Sequence, residues 1–201
     1  MSTLIREFNK SATQPINHCS ISVEQFHQMI EDGLFEGRRV ELIEGEVIEM
    51  SPEGSEHSFG IDILMRAIWH DVEAKNCLIR IQHMLTLSLA KKIEVEPDLC
   101  IVKNKKGQYR RANPTPVDVI LVVEVARRSR AYDMKFKAQL YASFNIPEYW
   151  VIDVKKECVY VHRDPDAGAY REIVSKSGKE ILSPKALRQI RVSVSQLFPT
   201  E

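Results

Sequence analysis

The feature that most constrains the fold is a run of aliphatic residues, Val119–Val125, in which Glu124 is the only charged side chain. An unbroken apolar run of this length, without the alternation of a half-exposed strand, is typical of a strand buried on both faces. We therefore predict a strand over Val117–Val125 at the centre of a sheet that is covered on both sides.

Helices and further strands are predicted on either side of this strand. Two extended segments precede it and two follow it: Cys77–Leu89, Ile93–Val102, Glu148–Asp153 and Cys158–His162. Helical periodicity and capping residues predict helices that begin near Ser22, Ser55 and Asp133. A tight turn at Glu44-Gly45 predicts a hairpin between the first two helices. The order of helix, three strands, helix and strand indicates an α/β fold with a mixed sheet flanked by helices, preceded by an N-terminal helix and hairpin.

Length and composition favour an ordinary globular protein. A chain of 201 residues fits a single domain over residues 1–201. The four cysteines are widely separated and show no zinc-ligand spacing. The longest apolar run is too short to cross a membrane and the first residues do not resemble a signal peptide, so we expect a cytoplasmic protein with no membrane partner. The formal net charge is zero, so any phosphate-binding surface must be a local basic patch.

Two carboxylates occupy positions where a charge is costly to bury. Asp98 follows Pro97 within a predicted strand, and Glu124 lies near the end of the aliphatic strand. A buried carboxylate is unfavourable unless it is paired or bound to a cation. Two carboxylates on neighbouring strands could share one Mg²⁺ or Mn²⁺, which prefer hard oxygen ligands. The alternative is structural: Asp98 in a turn, and Glu124 in an ion pair with an arginine.

A set of short motifs carries a resemblance to a known family. In chain order they are Glu41-Leu-Ile-Glu-Gly45, His57, Glu96-Pro-Asp98-Leu, Val122-Val-Glu124-Val-Ala126, Ser129, Ala131-Tyr-Asp133, Lys137, Tyr141 and Pro147-Glu-Tyr-Trp-Val-Ile-Asp153. This order resembles a bacterial family of restriction-endonuclease-like proteins, greatly expanded in cyanobacteria, within the PD-(D/E)xK nuclease superfamily. The resemblance covers the core, about residues 39–163, and implies a divalent-metal site.

The resemblance also implies roles for individual residues. Asp98 and Glu124 match the metal-binding acids of the second and third core strands. The lysine expected two positions after Glu124 is absent, because position 126 is alanine. The helix residue Lys137 is its implied replacement, positioned to orient water or stabilise the phosphate. Asp133 and Tyr141 share its helical face, since residues four apart are neighbours, and are implied to support it together with Ser129.

Two motif residues that precede Asp98 in the chain complete the implied site. Glu41 is a candidate third metal-binding acid, although Glu46 would replace it if the hairpin were shifted by one strand. His57 is a candidate base or a group that hydrogen-bonds to a metal ligand. A histidine near a helix start is also often a capping or packing residue, and this alternative stays open.

Basic residues follow the central strand at the point where related sequences tend to carry small or acidic ones. Arg127, Arg128 and Arg130 are predicted to bind phosphates beside the metal site. Alternatively, these arginines face solvent or pair with nearby acids. A second basic stretch consists of Lys103, Lys105, Lys106, Arg110 and Arg111. Charged loops of this kind are usually solvated, and we favour that interpretation for the second stretch.

The predicted function is a Mg²⁺- or Mn²⁺-dependent endonuclease that acts on DNA, with a homodimer as the expected assembly. An inactive DNA-binding or assembly module with the same fold is the alternative, suggested by the displaced lysine. A structural homodimer that pairs through the strand Cys77–Leu89 is a third interpretation. Tyr149 and Trp150 are expected to pack in the core rather than stack on bases.

Overall fold

The computed structural model describes residues 19–50 and 54–198. Its principal helices are α1 (Val23–Glu31), α2 (Ser55–Ala74) and α3, which joins the α-helical segments Arg130–Tyr132 and Ala138–Ser143 through a π-helical turn at Asp133–Lys137. The strands are β1 (Val40–Ile43), β2 (Glu46–Glu49), β3 (Cys77–Ile81), β4 (Leu85–Ser88), β5 (Ile93–Val95), β6 (Leu99–Lys103), β7 (Val119–Ala126), β8 (Glu148–Asp153), β9 (Cys158–Asp166), β10 (Ala169–Ser177), β11 (Ile181–Leu182) and β12 (Val192–Ser193).

The strand β7 lies inside a six-stranded mixed sheet, which confirms the predicted fold class. The order of strands in this sheet is β10-β9-β8-β7-β6-β3. β7 is antiparallel to β6 and parallel to β8, and α3 forms the connection between β7 and β8. Every residue of β7 except Ile120 is buried, as expected for a strand that is covered on both faces.

The two faces of β7 contact different helices because side chains alternate along a strand. Leu121, Val123 and Val125 belong to one apolar cluster, which includes the buried face of α2. Val122 and Ala126 belong to a second cluster, which includes residues of α3. Glu124 is two positions from both Val122 and Ala126, so its side chain lies on the same face of the strand and projects towards α3.

Two of the predicted strands are each divided between two sheets, which corrects the sequence prediction. The segment Cys77–Leu89 forms β3 in the large sheet and β4 in a second sheet, ordered β2-β1-β5-β4. The segment Ile93–Val102 likewise contributes β5 to the second sheet and β6 to the large one. The first break coincides with Gln82, whose φ is 51°, a left-handed conformation that interrupts an extended strand. Asp98 therefore lies where the chain passes from the small sheet into the large one.

Other boundaries move by a few residues. α3 begins at Arg130 instead of Asp133, and Gly54 rather than Ser55 caps α2. β9 continues to Asp166, beyond the predicted end of this strand at His162, and a tight turn follows at Ala167-Gly168, both with positive φ. Tyr149 and Trp150 are fully buried in the core, as expected. Within the two described ranges, no helix is long and apolar enough to cross a membrane.

Candidate functional site

Asp98 and Glu124 are held side by side at the junction of the two sheets. The backbone N–H of Asp98 donates to Glu124 Oε2 at 3.2 Å. The backbone N–H of Val125 donates to Asp98 Oδ2 at 2.8 Å. Both side chains are almost completely buried, with 4% and 5% of the residue exposed. The backbone beside each carboxylate thus holds the other carboxylate in place, and the two predicted metal-binding acids are adjacent.

A buried lysine connects Glu124 to a third acid. Lys137 Nζ lies 2.5 Å from Glu41 Oε1 and 3.3 Å from Glu124 Oε1. Glu41 also accepts a hydrogen bond from the backbone N–H of Glu96 at 2.9 Å. The alternative acid, Glu46, lies exposed on β2. The structure therefore brings Glu41, and not Glu46, to this cluster.

The π-helical turn of α3 accounts for the position of Lys137. A π turn contains an extra residue and so changes the direction of the side chains that follow it, and such turns are frequent at functional sites. Lys137 ends this turn, and Tyr141, one turn later, donates its hydroxyl to Glu124 Oε1 at 2.8 Å. At the start of the turn, Ser129 donates to Asp133 Oδ2 at 2.6 Å. The three predicted supporting residues thus fix the carboxylates and the helix that carries the lysine.

The side chains of His57 and Arg39 also hold Asp98. His57 is buried near the start of α2, and its Nε2 lies 2.8 Å from Asp98 Oδ2. Arg39 donates to Asp98 Oδ1 at 3.4 Å and to Glu96 Oε1 at 2.5 Å. Both carboxylate oxygens of Asp98 are therefore engaged, and its side chain is restrained from both sheets and from α2.

Three residues at this site have no role predicted from the sequence: Arg39, Glu96 and Tyr132. Glu96 and Tyr132 belong to the quoted motifs, so their positions beside Asp98 and Asp133 were a signal that could have identified them. Arg39 precedes β1 by one residue, and only the pairing of the two sheets reveals its contact with Asp98.

The cluster contains more acidic than basic side chains, so it is short of positive charge. Burial raises the pKa of Glu124 to about 8, although Lys137 opposes this shift. Burial also raises the pKa of Asp133 to about 6. Burial disfavours ionisation of Asp98 as well, but the hydrogen bond and charge of His57 lower its pKa overall. Burial disfavours the charge on Lys137, yet the two adjacent glutamates raise its pKa, so it stays protonated.

An open cleft of about 690 Å³ gives solvent access to part of this cluster. Its lining includes Asp98, Glu124 and His57 from the cluster, and Asp133 and Ser129 from the start of α3. Glu41 and Lys137 are not among the lining residues, and at most 1% of either is exposed. Lys137 therefore lies behind the carboxylates, where it neutralises them and does not face the cleft directly.

The three predicted phosphate-binding arginines lie in two different places. Arg127 and Arg128 line the cleft, and Arg127 Nε lies 2.7 Å from Glu56 Oε2. Arg130 is not among the lining residues and points towards the end of β8, where its Nε lies 2.8 Å from Asp153 Oδ2. Asp153 is a buried acid that attracts this guanidinium, so Arg130 anchors the start of α3.

The second basic stretch lies at the opposite end of β6 from Asp98. Lys103, at the end of that strand, donates to the backbone carbonyl of Val117, and Lys105 forms an ion pair with Asp118. These contacts are local, and no residue of the stretch lines the cleft.

A preformed metal site is not present in the part of the chain that the structure describes. No three His, Cys, Asp or Glu side chains of residues 19–50 and 54–198 are already arranged to hold a metal ion. Arg39 and His57 each contact one carboxylate oxygen of Asp98 instead.

Comparison with known proteins identifies the family. Among solved structures, a similar chain is a "putative nuclease belonging to DUF820" from Anabaena variabilis, with 15% identity and a TM-score of 0.72. The match covers 89% of this chain and 97% of the other, and it shows a shared fold. Among curated proteins, no relative matches at a significant level. The model of the Uma2 family, described as "Putative restriction endonuclease", matches residues 23–195. Because this match spans most of the sequence, the chain belongs to the Uma2 family.

Proposed function

We propose that this protein is a divalent-metal-dependent endonuclease that hydrolyses phosphodiester bonds in DNA. The observation that carries the proposal is the adjacency of Asp98 and Glu124 in a cleft that Arg127 and Arg128 also line. Hard oxygen donors at one end of a cleft suit a divalent cation, and guanidinium groups beside them suit phosphates.

The residues present fit a divalent cation on two grounds. Five acidic side chains surround two permanent cations, so the site is net negative even while Glu124 is protonated; the acids are Glu41, Glu96, Asp98, Glu124 and Asp133, and the cations are Arg39 and Lys137. In addition, Glu41 Oε2 is a buried oxygen with no hydrogen-bond partner. A buried carboxylate oxygen of this kind is costly unless a cation compensates it. Restriction-endonuclease-like families generally use divalent metals, which agrees with this charge balance.

Each residue then has a distinct task. Asp98 and Glu124 would hold the cation, with Glu41 as the third candidate ligand. When bound, Mg²⁺ or Mn²⁺ supplies an activated water and stabilises the charge that develops on the phosphate. Lys137 neutralises the two glutamates and keeps them in position. His57 orients Asp98 through its hydrogen bond, as outer groups commonly do for metal ligands.

Cleavage of supercoiled plasmid DNA tests the proposed function directly. We expect nicked and linear products with Mg²⁺ or Mn²⁺ and none with EDTA. Binding of DNA without cleavage at any concentration of either metal would contradict the proposal, and would favour a binding module that retains the nuclease fold.

Binding of Mn²⁺ is expected to strengthen as the pH rises from about 6 to about 8. Glu124, whose pKa is raised to about 8, must lose its proton before it can bind a cation. One coupled proton corresponds to about a tenfold gain in affinity per pH unit below that pKa. Calorimetry in buffers of different ionisation enthalpy measures both the affinity and the released proton. Glu124→Gln should bind Mn²⁺ more weakly and with a flatter pH dependence, and affinity that does not change over this range would contradict the assignment.

The arginines that line the cleft are expected to control the salt dependence of DNA binding. Replacing Arg127 and Arg128 with Ala should lower the slope of log K against log salt by about 1.8, since each lost phosphate contact contributes about 0.9. Fluorescence anisotropy with a short duplex at several salt concentrations measures this slope. The matched control replaces Arg188 and Arg191, two exposed arginines outside the cleft, and should leave the slope unchanged. Equal slopes for the two double variants would show that the cleft arginines do not contact phosphate.

A further inference from the structure

An aromatic pair stands beside the cleft and has no role in the site described above. Tyr132 and Phe136 stack with their ring centroids 4.9 Å apart and an interplanar angle of 21°. Tyr132 lines the cleft between Ser129 and Asp133. Phe136 lies one turn further along α3, and 39% of it is exposed to solvent. Phe136 does not itself line the cleft, but its exposed ring adjoins Tyr132, which does, so the pair is open to contact from the cleft side.

The strand β2 brings further apolar surface to the same cleft. Ile48 and Met50 are both lining residues, and Ile48 is one of the exposed large hydrophobic residues of the protein. The cleft thus combines three kinds of surface: buried carboxylates, arginines and apolar side chains. Carboxylates with a bound cation and arginines suit a phosphate, but apolar side chains gain nothing from the sugar–phosphate backbone of a continuous duplex.

We infer that Tyr132 and Phe136 form a stacking platform for an unpaired nucleobase adjacent to the scissile phosphate. Every base has a π face, and bases that are not paired in a duplex stack on aromatic side chains in single-stranded nucleic-acid sites. The site therefore selects single-stranded or locally opened DNA over continuous duplex. This inference rests on the proposed function, because it assumes that the cleft binds DNA.

The position of the platform follows from the helix that carries it. Residues four apart are neighbours on a helix, which is why the rings of Tyr132 and Phe136 stack on each other at the start of α3. Ser129 and Asp133, which are hydrogen-bonded to each other, lie in the same first turns and fix the start of α3 relative to the carboxylates. A base on the platform would therefore be held at a defined place relative to Asp98 and Glu124.

The fluorescence of 2-aminopurine tests the inference without cleavage. This base analogue is quenched when it stacks. In a single-stranded oligonucleotide with abasic positions on both sides of it, no neighbouring base stacks on it, so quenching on binding reports on the platform. In EDTA, the wild-type protein should quench the signal, and Tyr132→Phe should preserve the quenching because the ring remains. Tyr132→Leu and Phe136→Leu should lose most of the quenching and weaken single-strand binding by about tenfold to a hundredfold, whereas duplex binding should change by less than about threefold.

Controls separate this inference from the function on which it rests. Trp69→Leu removes an exposed aromatic residue from the far part of α2 and should leave quenching and affinity unchanged. If Tyr132→Leu does not fold, as judged by circular dichroism, Phe136→Leu decides the question because its ring is partly exposed. Unchanged quenching in Phe136→Leu, or equal losses for single-stranded and duplex DNA, would overturn the inference. That outcome would leave the proposed function standing, because plasmid cleavage with Mg²⁺ or Mn²⁺ tests it separately.

Discussion

Replacing Asp98 with Asn is expected to lower the rate of metal-dependent DNA cleavage by about a hundredfold or more, a loss of roughly 2.7 kcal/mol of transition-state stabilisation. The amide has the shape of the carboxylate but lacks its negative charge, so it is a poor ligand for a hard divalent cation. Because Asp98 lies at the junction of the two sheets and contacts Val125, Arg39 and His57, an isosteric change disturbs the fold least. Cleavage rates at saturating Mn²⁺ measure the effect.

A matched substitution separates the loss of a ligand from the loss of a charge. Glu49 is an exposed carboxylate that lines the same cleft from β2. Glu49→Gln changes the net charge of the cleft by the same amount, and we expect it to alter the cleavage rate by less than about threefold, within the range of surface electrostatic effects. Equal losses of cleavage rate in the two variants would mean that the rate depends on the overall charge of the cleft and that Asp98 has no specific role. A wild-type cleavage rate in Asp98→Asn would contradict the assignment of Asp98 as a metal ligand.

The sequence could predict the two central acids because each breaks a strong local pattern. Glu124 is the one charge in an aliphatic strand, and alternation along that strand places it opposite α3. Asp98 follows a proline within an extended segment. These are local signals, and the order of elements then indicated which strands would be neighbours.

The remaining contacts of the site depend on tertiary pairing that no local pattern specifies. Glu41 and Lys137 are 96 positions apart and meet because the small sheet pairs with the segment that leads to Asp98. The division of Cys77–Leu89 and Ile93–Val102 between two sheets was missed because apolar residues resume directly after each short polar break, at Gln82-His83 and at Glu96-Pro97-Asp98. Arg130 was grouped with its neighbours by sequence, but the buried carboxylate of Asp153 turns it away from the cleft.

Replacing Lys137 with Met is expected to destabilise the protein by about 3–5 kcal/mol, the usual cost of removing one partner from a buried ion pair. Lys137 is enclosed by Glu41 and Glu124, and all three side chains are buried. Methionine fills similar space, so the loss reflects charge and not a cavity. Urea unfolding followed by circular dichroism measures the change. Lys135→Met is the matched control, because Lys135 is exposed on the same helix, and we expect it to change the free energy of unfolding by no more than about 0.5 kcal/mol.

The pH dependence of this loss of stability, together with a second substitution, shows whether Lys137 acts by neutralising the glutamates. Burial already raises the pKa of Glu124 to about 8, above its unfolded value, so its protonated form is favoured in the folded protein. A raised carboxyl pKa contributes stability that is present below the unfolded pKa, near 4.5, and is lost as the pH rises through the folded pKa. Without Lys137 the folded pKa should rise further, so the cost of Lys137→Met should be small near pH 5 and larger near pH 8. Adding Glu41→Gln to Lys137→Met removes one of the two unpaired anions and should recover part of the lost stability. A cost that does not vary with pH, or no recovery in the double variant, would show that Lys137 stabilises the fold through packing and not by neutralising the glutamates.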